Sequence, residues 1–177
     1  MIHSIYYLEI VNIFFTRRNT NTVSKCSRYF YFGSDIMDKN EALLQEIYKN
    51  TTMGGDSIVN LMDKAQNPEM RTEMTRELER YREYSSRAAD LLAERGLKPE
   101  EPGMMAKAGS KIGMAFNTML DTTTSHIAEM MINGATMGII NIEKQFNQNN
   151  PDGEARKLAE EILDFEKSTS DNLARFL

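Results

Sequence analysis

From Asp38 onward, apolar and small side chains recur at intervals of three and four residues, a spacing that confines the chain to amphipathic helices. A first helix is expected over Asp38–Gln66, with Leu43, Leu44, Ile47, Thr51, Gly54, Ile58, Leu61, Met62 and Ala65 on one face. Asp38 followed by Glu41 reads as a capping box at its start. The stretch Thr51–Ser57 is poor in helix formers, which predicts a kink or a close backbone contact at mid-helix. Asn67-Pro68-Glu69 then supplies a cap, a first-turn proline and a first-turn carboxylate for a second helix. That helix runs to about Arg95 before Gly96, and its expected inner face is Met70, Met74, Leu78, Tyr81, Ser85, Ala88 and Leu92.

The run 98–103 breaks the pattern, and a short helix from Met104 to about Leu120 is expected to act as a crossover. Asp121-Thr122-Thr123-Thr124 offers caps for a third long helix reaching about Asn147. Only four Asp, Glu, Lys or Arg residues fall between Met104 and Ile142, which points to the most buried part of the molecule. A turn at 149–153 leads into a final helix. Met74, Leu78, Tyr81, Ser85 and Leu92 match Leu158, Ile162, Phe165, Thr169 and Phe176 at a constant offset, as two helical hairpins related by a pseudo-twofold would require.

Composition narrows the functions open to such a chain. A net charge of −5 argues against a general nucleic-acid binder. With no Trp and 13 Met, aliphatic and thioether side chains must fill the core. The single cysteine, Cys26, excludes an intrachain disulfide and any multi-thiolate metal site within one chain, and it fits a cytoplasmic location. The apolar run Ile2–Phe15 contains His3, Glu9 and Asn12 and falls short of the roughly 20 residues a membrane span needs.

Residues 1–36 differ in character from the rest, being rich in Ile, Tyr, Phe, Asn and Thr without a steady period. They read as an N-terminal extension, either a disordered arm or upstream sequence translated from a wrong start, with residues 37–177 forming the domain.

Two helices with a tight turn, a long crossover, then two more helices with a tight turn resembles the ferritin-like superfamily, and within it the small bacterial ferritin-like families. The resemblance covers residues 38–177 and implies an all-α, antiparallel four-helix bundle whose long crossover carries a short extra helix. It also implies a place for a di-iron site, built from one Glu on each of two helices and a Glu-x-x-His pair on each of the other two. The final helix has Glu166-Lys167-Ser168-Thr169 there, with Thr169 in place of imidazole, and the second helix has Arg82-Glu83-Tyr84-Ser85. The first helix offers Thr51, Gly54 and Gly55, and the third Asn133, Gly134 and Met137.

No catalytic, cofactor or metal residues are therefore assigned, and the expectation is a non-enzymatic bundle that acts through protein contacts as a homodimer. The rival is a metal oxidoreductase using iron or manganese at an atypical set of Glu166, His126 and Glu129, the last two forming a His-x-x-Glu pair. Because the helix start and every apolar face lie beyond residue 36, a chain begun at Met37 should melt at the same temperature as the full chain. Circular dichroism on the two forms checks this, and a midpoint lower by several degrees in the shorter form would contradict it.

Overall fold

The computed structural model describes residues 38–102 and 121–177, all within the unit Met37–Leu177. The extension 1–36 and the expected crossover helix at 104–120 lie outside the described residues. The described residues form four long helices: α1 (Lys39–Met62), α2 (Pro68–Ala93), α3 (Thr124–Asn149) and α4 (Gly153–Leu173), followed by a 3₁₀ turn at Ala174–Phe176. No strand occurs among the described residues, and none of their helices is long and apolar enough to cross a membrane.

The punctuation inferred from sequence accounts for most of the helix ends. The Asn67 side chain accepts hydrogen bonds from the amides of Glu69 and Met70, with Pro68 in the first turn where a missing N–H costs nothing. Thr123 caps α3 through the amide of His126. Gly96 takes a φ of +74°, and the Leu97 amide donates back to the carbonyl of Leu92, closing α2 in the left-handed turn that glycine makes without steric cost. The capping box at Asp38 is not formed, since the Asp38 side chain makes no capping bond. The start of α1 is held from another helix instead. Asn40 Nδ2 donates to Asp152 Oδ1 at 2.8 Å, the Asp152 amide donates back to Asn40 Oδ1 at 3.0 Å, and Lys39 pairs with the same carboxylate.

Tight turns make α1–α2 and α3–α4 antiparallel hairpins. The hairpins meet with α2 antiparallel to α4, as the pairs Arg87–Glu161, Tyr81–Glu166 and Arg175–Glu73 show by descending one helix as they ascend the other. Asn50 bonded to Asn141, together with Asn40 at Asp152, makes α1 antiparallel to α3. It follows that α2 ends at the opposite end of the bundle from where α3 begins. The first residues after α2 lie along α1, where Gln45 bonds both the Lys98 carbonyl and the Glu100 amide.

Two apolar clusters fill the interior. One gathers Leu43, Leu44, Ile47, Tyr84, Ala88, Leu92, Ile142, Leu158 and Ile162, and the other Ile58, Leu61, Met70, Met74, Ile127, Met131 and Leu173, while Phe165 packs against both. The α1 face is as read from sequence, except that the helix runs through its glycines unbroken. There Gly54 serves a close contact: a Cβ on it would sit 3.0–3.1 Å from three carbons of the Tyr81 ring.

On α2 and α3 the inner faces differ from the sequence reading. Glu77 and Tyr84 are buried where Leu78 and Ser85 were expected, and both of those are only half-buried. On α3 the inward residues are Met131, Ala135, Gly138 and Ile142, whereas Asn133, Gly134 and Met137 face outward. A helix stretch with no charged residue gives no phase, and Met137 misled because an apolar residue was taken as an inner one. Gly54→Leu should therefore destabilise the fold by roughly 1–3 kcal/mol or more, since a rigid ring cannot yield. A side chain at Gly134, which has nothing within 4 Å, should bring no overpacking penalty. Chemical denaturation of both variants checks the contrast.

Candidate functional site

Between the two apolar clusters lies a layer of polar groups contributed by α1, α2 and α4, with a glycine of α3 beside it. Tyr81 and Glu166 form its centre: the Tyr81 hydroxyl donates to the Glu166 carboxylate, 3.0 Å from Oε1 and 2.9 Å from Oε2. The ring of Phe165 meets Tyr81 edge to face with centroids 5.5 Å apart, which fixes the phenol's direction. From α3, Gly138 gives Glu166 its room, because a Cβ there would lie 3.1 Å from Oε1. Thr51 of α1 turns its hydroxyl back on the carbonyl of Ile47, and Thr169 of α4 buries a hydroxyl that has no hydrogen-bond partner.

A second carboxyl is buried one turn before Tyr81. Glu77 is 1% exposed, and its Oε1 has no hydrogen-bond partner. Glu73, a further turn back, is also buried but lies between Arg76 and Arg175, whose guanidinium sits 3.7 Å away. The two glutamates thus differ in kind: Glu73 has cations, whereas Glu77 has one weakly felt arginine, Arg76, and two acidic neighbours. Burial is the main cause that pushes the Glu77 carboxyl up to about 8, with the charges of Glu73 and Glu166 adding to it. Burial likewise lifts Glu166 to about 7 against the opposing hydrogen bond from Tyr81, and it drives the Tyr81 phenol well above its ordinary range. Near neutral pH Glu77 is therefore largely protonated while Glu166 titrates, which avoids placing two uncompensated charges in the core.

The rival metal set is not brought together as a cluster. His126 lies in the first turn of α3 with its Nδ1 3.4 Å from Glu129 Oε2, and Glu129 projects outward. Glu166 is instead committed to Tyr81, and among the described residues no three His, Cys, Asp or Glu side chains group closely enough to hold a metal ion. Arg82, which matches Glu166 by the hairpin repeat, is exposed. Glu166 itself is 3% exposed. Sequence reasoning missed Glu77, although its position in the α2 repeat Met70, Met74, Glu77, Tyr81, Tyr84, Ala88 was there to be found.

No protein-family profile and no curated protein matches the chain. One solved structure does. It is "YcfI, a putative structural protein from Rhodopseudomonas palustris", with a TM-score of 0.52 at 18% identity over 81% of this chain and 98% of that one. The likeness is one of fold.

The protonation of Glu77 and Glu166 links stability to pH. Both folded values lie above the ordinary 4.5, so between about pH 4.5 and 8 the folded chain holds more protons than the unfolded one. Their contribution is fullest near pH 4.5 and is lost as pH rises through 7 and 8. Glu77→Gln and Glu166→Gln should each remove part of that decline, roughly 1 kcal/mol per pH unit in its own window. Denaturation curves across pH 5–9 test this, and a double variant with the parent's profile would sink the assignment.

Proposed function

We propose that this chain is a non-enzymatic helical bundle of ferritin-like arrangement that acts through protein–protein contacts. The observation that carries the reading is the content of the polar layer. In the ferritin-like resemblance this is where two metal ions would be held by four carboxylates and two imidazoles. Here a tyrosine ring packed on Gly54 reaches across to occupy the Glu166 carboxylate, and the position for imidazole on α4 is Thr169. The one histidine beyond residue 3 lies at the start of α3, paired with Glu129. A carboxyl that remains protonated at neutral pH, as Glu77 does, competes poorly for cations, since metal binding must first expel the proton. YcfI is described as a putative structural protein, which is in keeping with a role in contacts. A cytoplasmic location fits the single cysteine.

Purified protein should carry well under one iron or manganese per chain and show no ferroxidase activity. Glu166→Ala should leave metal content unchanged but lower stability by roughly 1–3 kcal/mol, because it strands the Tyr81 hydroxyl in the core. Elemental analysis and denaturation of the same preparations decide the point. Two metals per chain, lost on replacing Glu166 or His126, would favour an oxidoreductase with an atypical carboxylate and histidine set.

A further inference from the structure

The outer face of α3 stands apart from those of α2 and α4. From Met130 to Ile142 the helix has no charged residue, although Asn133, Thr136, Met137 and Ile140 face outward. Met137 is 52% exposed and Ile140 40%, whereas the outer faces of α2 and α4 are dense in mixed charge. Successive outward positions at intervals of three and four place these residues in one strip along the helix. The same strip continues to a charge at either end, Glu129 on one side and Lys144 on the other, both exposed.

These positions are symmetric about the midpoint between Thr136 and Met137. Counting outward from that point pairs Thr136 with Met137, Asn133 with Ile140, and Glu129 with Lys144. When two such helices meet antiparallel across a twofold axis through the midpoint, the acidic end of each strip faces the basic end of the other. The uncharged middle faces itself without like-charge repulsion. Glu143 on the flank falls opposite Met130, which is uncharged. The paired charges stand roughly 22 Å apart along each helix, about four turns, a length over which helices crossing at a shallow angle stay in contact. For a chain of net charge −5, this is a surface on which a second copy can approach without acidic residues opposing one another.

We infer that α3 is the interface of an isologous homodimer, with two α3 helices packed antiparallel about Thr136–Met137 and Glu129 of each copy paired with Lys144 of the other. This rests on the reading of the chain as a contact protein and names its partner as a second copy. The buried face of α3 holds the bundle together, and the opposite face is left for the assembly.

Sedimentation equilibrium of the full chain gives the dimer dissociation constant. Met137→Glu, Glu129→Lys and Lys144→Glu should each raise it by about tenfold or more, the first by placing two carboxylates against an apolar contact and the others by opposing like charges. The double exchange Glu129→Lys with Lys144→Glu should restore it to within a few-fold of the parent, because the pair is reformed in reverse. All three positions are exposed, so the helicity and melting of the monomer at high dilution should be unchanged, and this control separates lost contact from lost fold. A monomer persisting to millimolar concentration overturns the interface. A double exchange no tighter than either single variant overturns the antiparallel register. Metal content and turnover are independent of both outcomes, so failure of the dimer is distinguishable from failure of the wider functional reading.

Discussion

The four helices converge on one pair of side chains. The Tyr81 ring rests on Gly54 of α1, its edge meets Phe165 of α4, and its hydroxyl is spent on Glu166, which in turn lies against Gly138 of α3. A carboxyl group in an apolar core is tolerated only when it is protonated or well bonded, and here burial and the phenol act together. Two glycines, one on each side of the pair, are what allow bulky groups to share the centre of the bundle. The aliphatic residues of the interior can be exchanged for others of similar volume at modest cost, but this contact depends on four helices at once.

A polar layer between two apolar halves also fixes how the helices slide. Leu, Ile and Met make an adaptable core that would accept α4 shifted along α2 by a heptad with little loss of burial. Such a shift would separate Glu166 from Tyr81, detach Arg87 from Glu161 and leave Glu73 without Arg175. Register specification is the best-attested use of buried polar groups in helical assemblies. In this bundle it is exercised along the α2–α4 seam, where the two hairpins meet.

The fold was legible in the sequence because its information lies in spacing and punctuation. Asn67-Pro68, Gly96 and Thr123 mark helix ends that depend only on local backbone chemistry, and the structure uses each of them. The hairpin repeat gave Tyr81 and Phe165 as equivalent residues, and they pack on each other. The polar layer was less legible, because a glutamate at an inner position looks like an error of phase. The spacing read from sequence puts Leu78 and Ser85 on the inner face, whereas the structure buries Glu77 and Tyr84 at heptad spacing. The neutrality of α3 concealed its orientation altogether: without charge to mark the wet side, Met137 and Gly134 passed for core. Asp38 failed as a cap for a different reason, since the start of α1 is secured by Asp152, more than a hundred residues away in the chain.

That distant clasp has a consequence for how the protein is made. On the ribosome α1 and α2 emerge first, with an inner face whose partners are still to be translated. At a synthesis rate of roughly 5–20 residues per second, the nascent hairpin waits on the order of ten seconds for α4 to follow it. Throughout that interval Glu77 and Tyr81 are in contact with water and the glutamate ionises freely. Closure of the bundle thus waits for α4 to leave the ribosome, and it captures a proton from solvent as it happens.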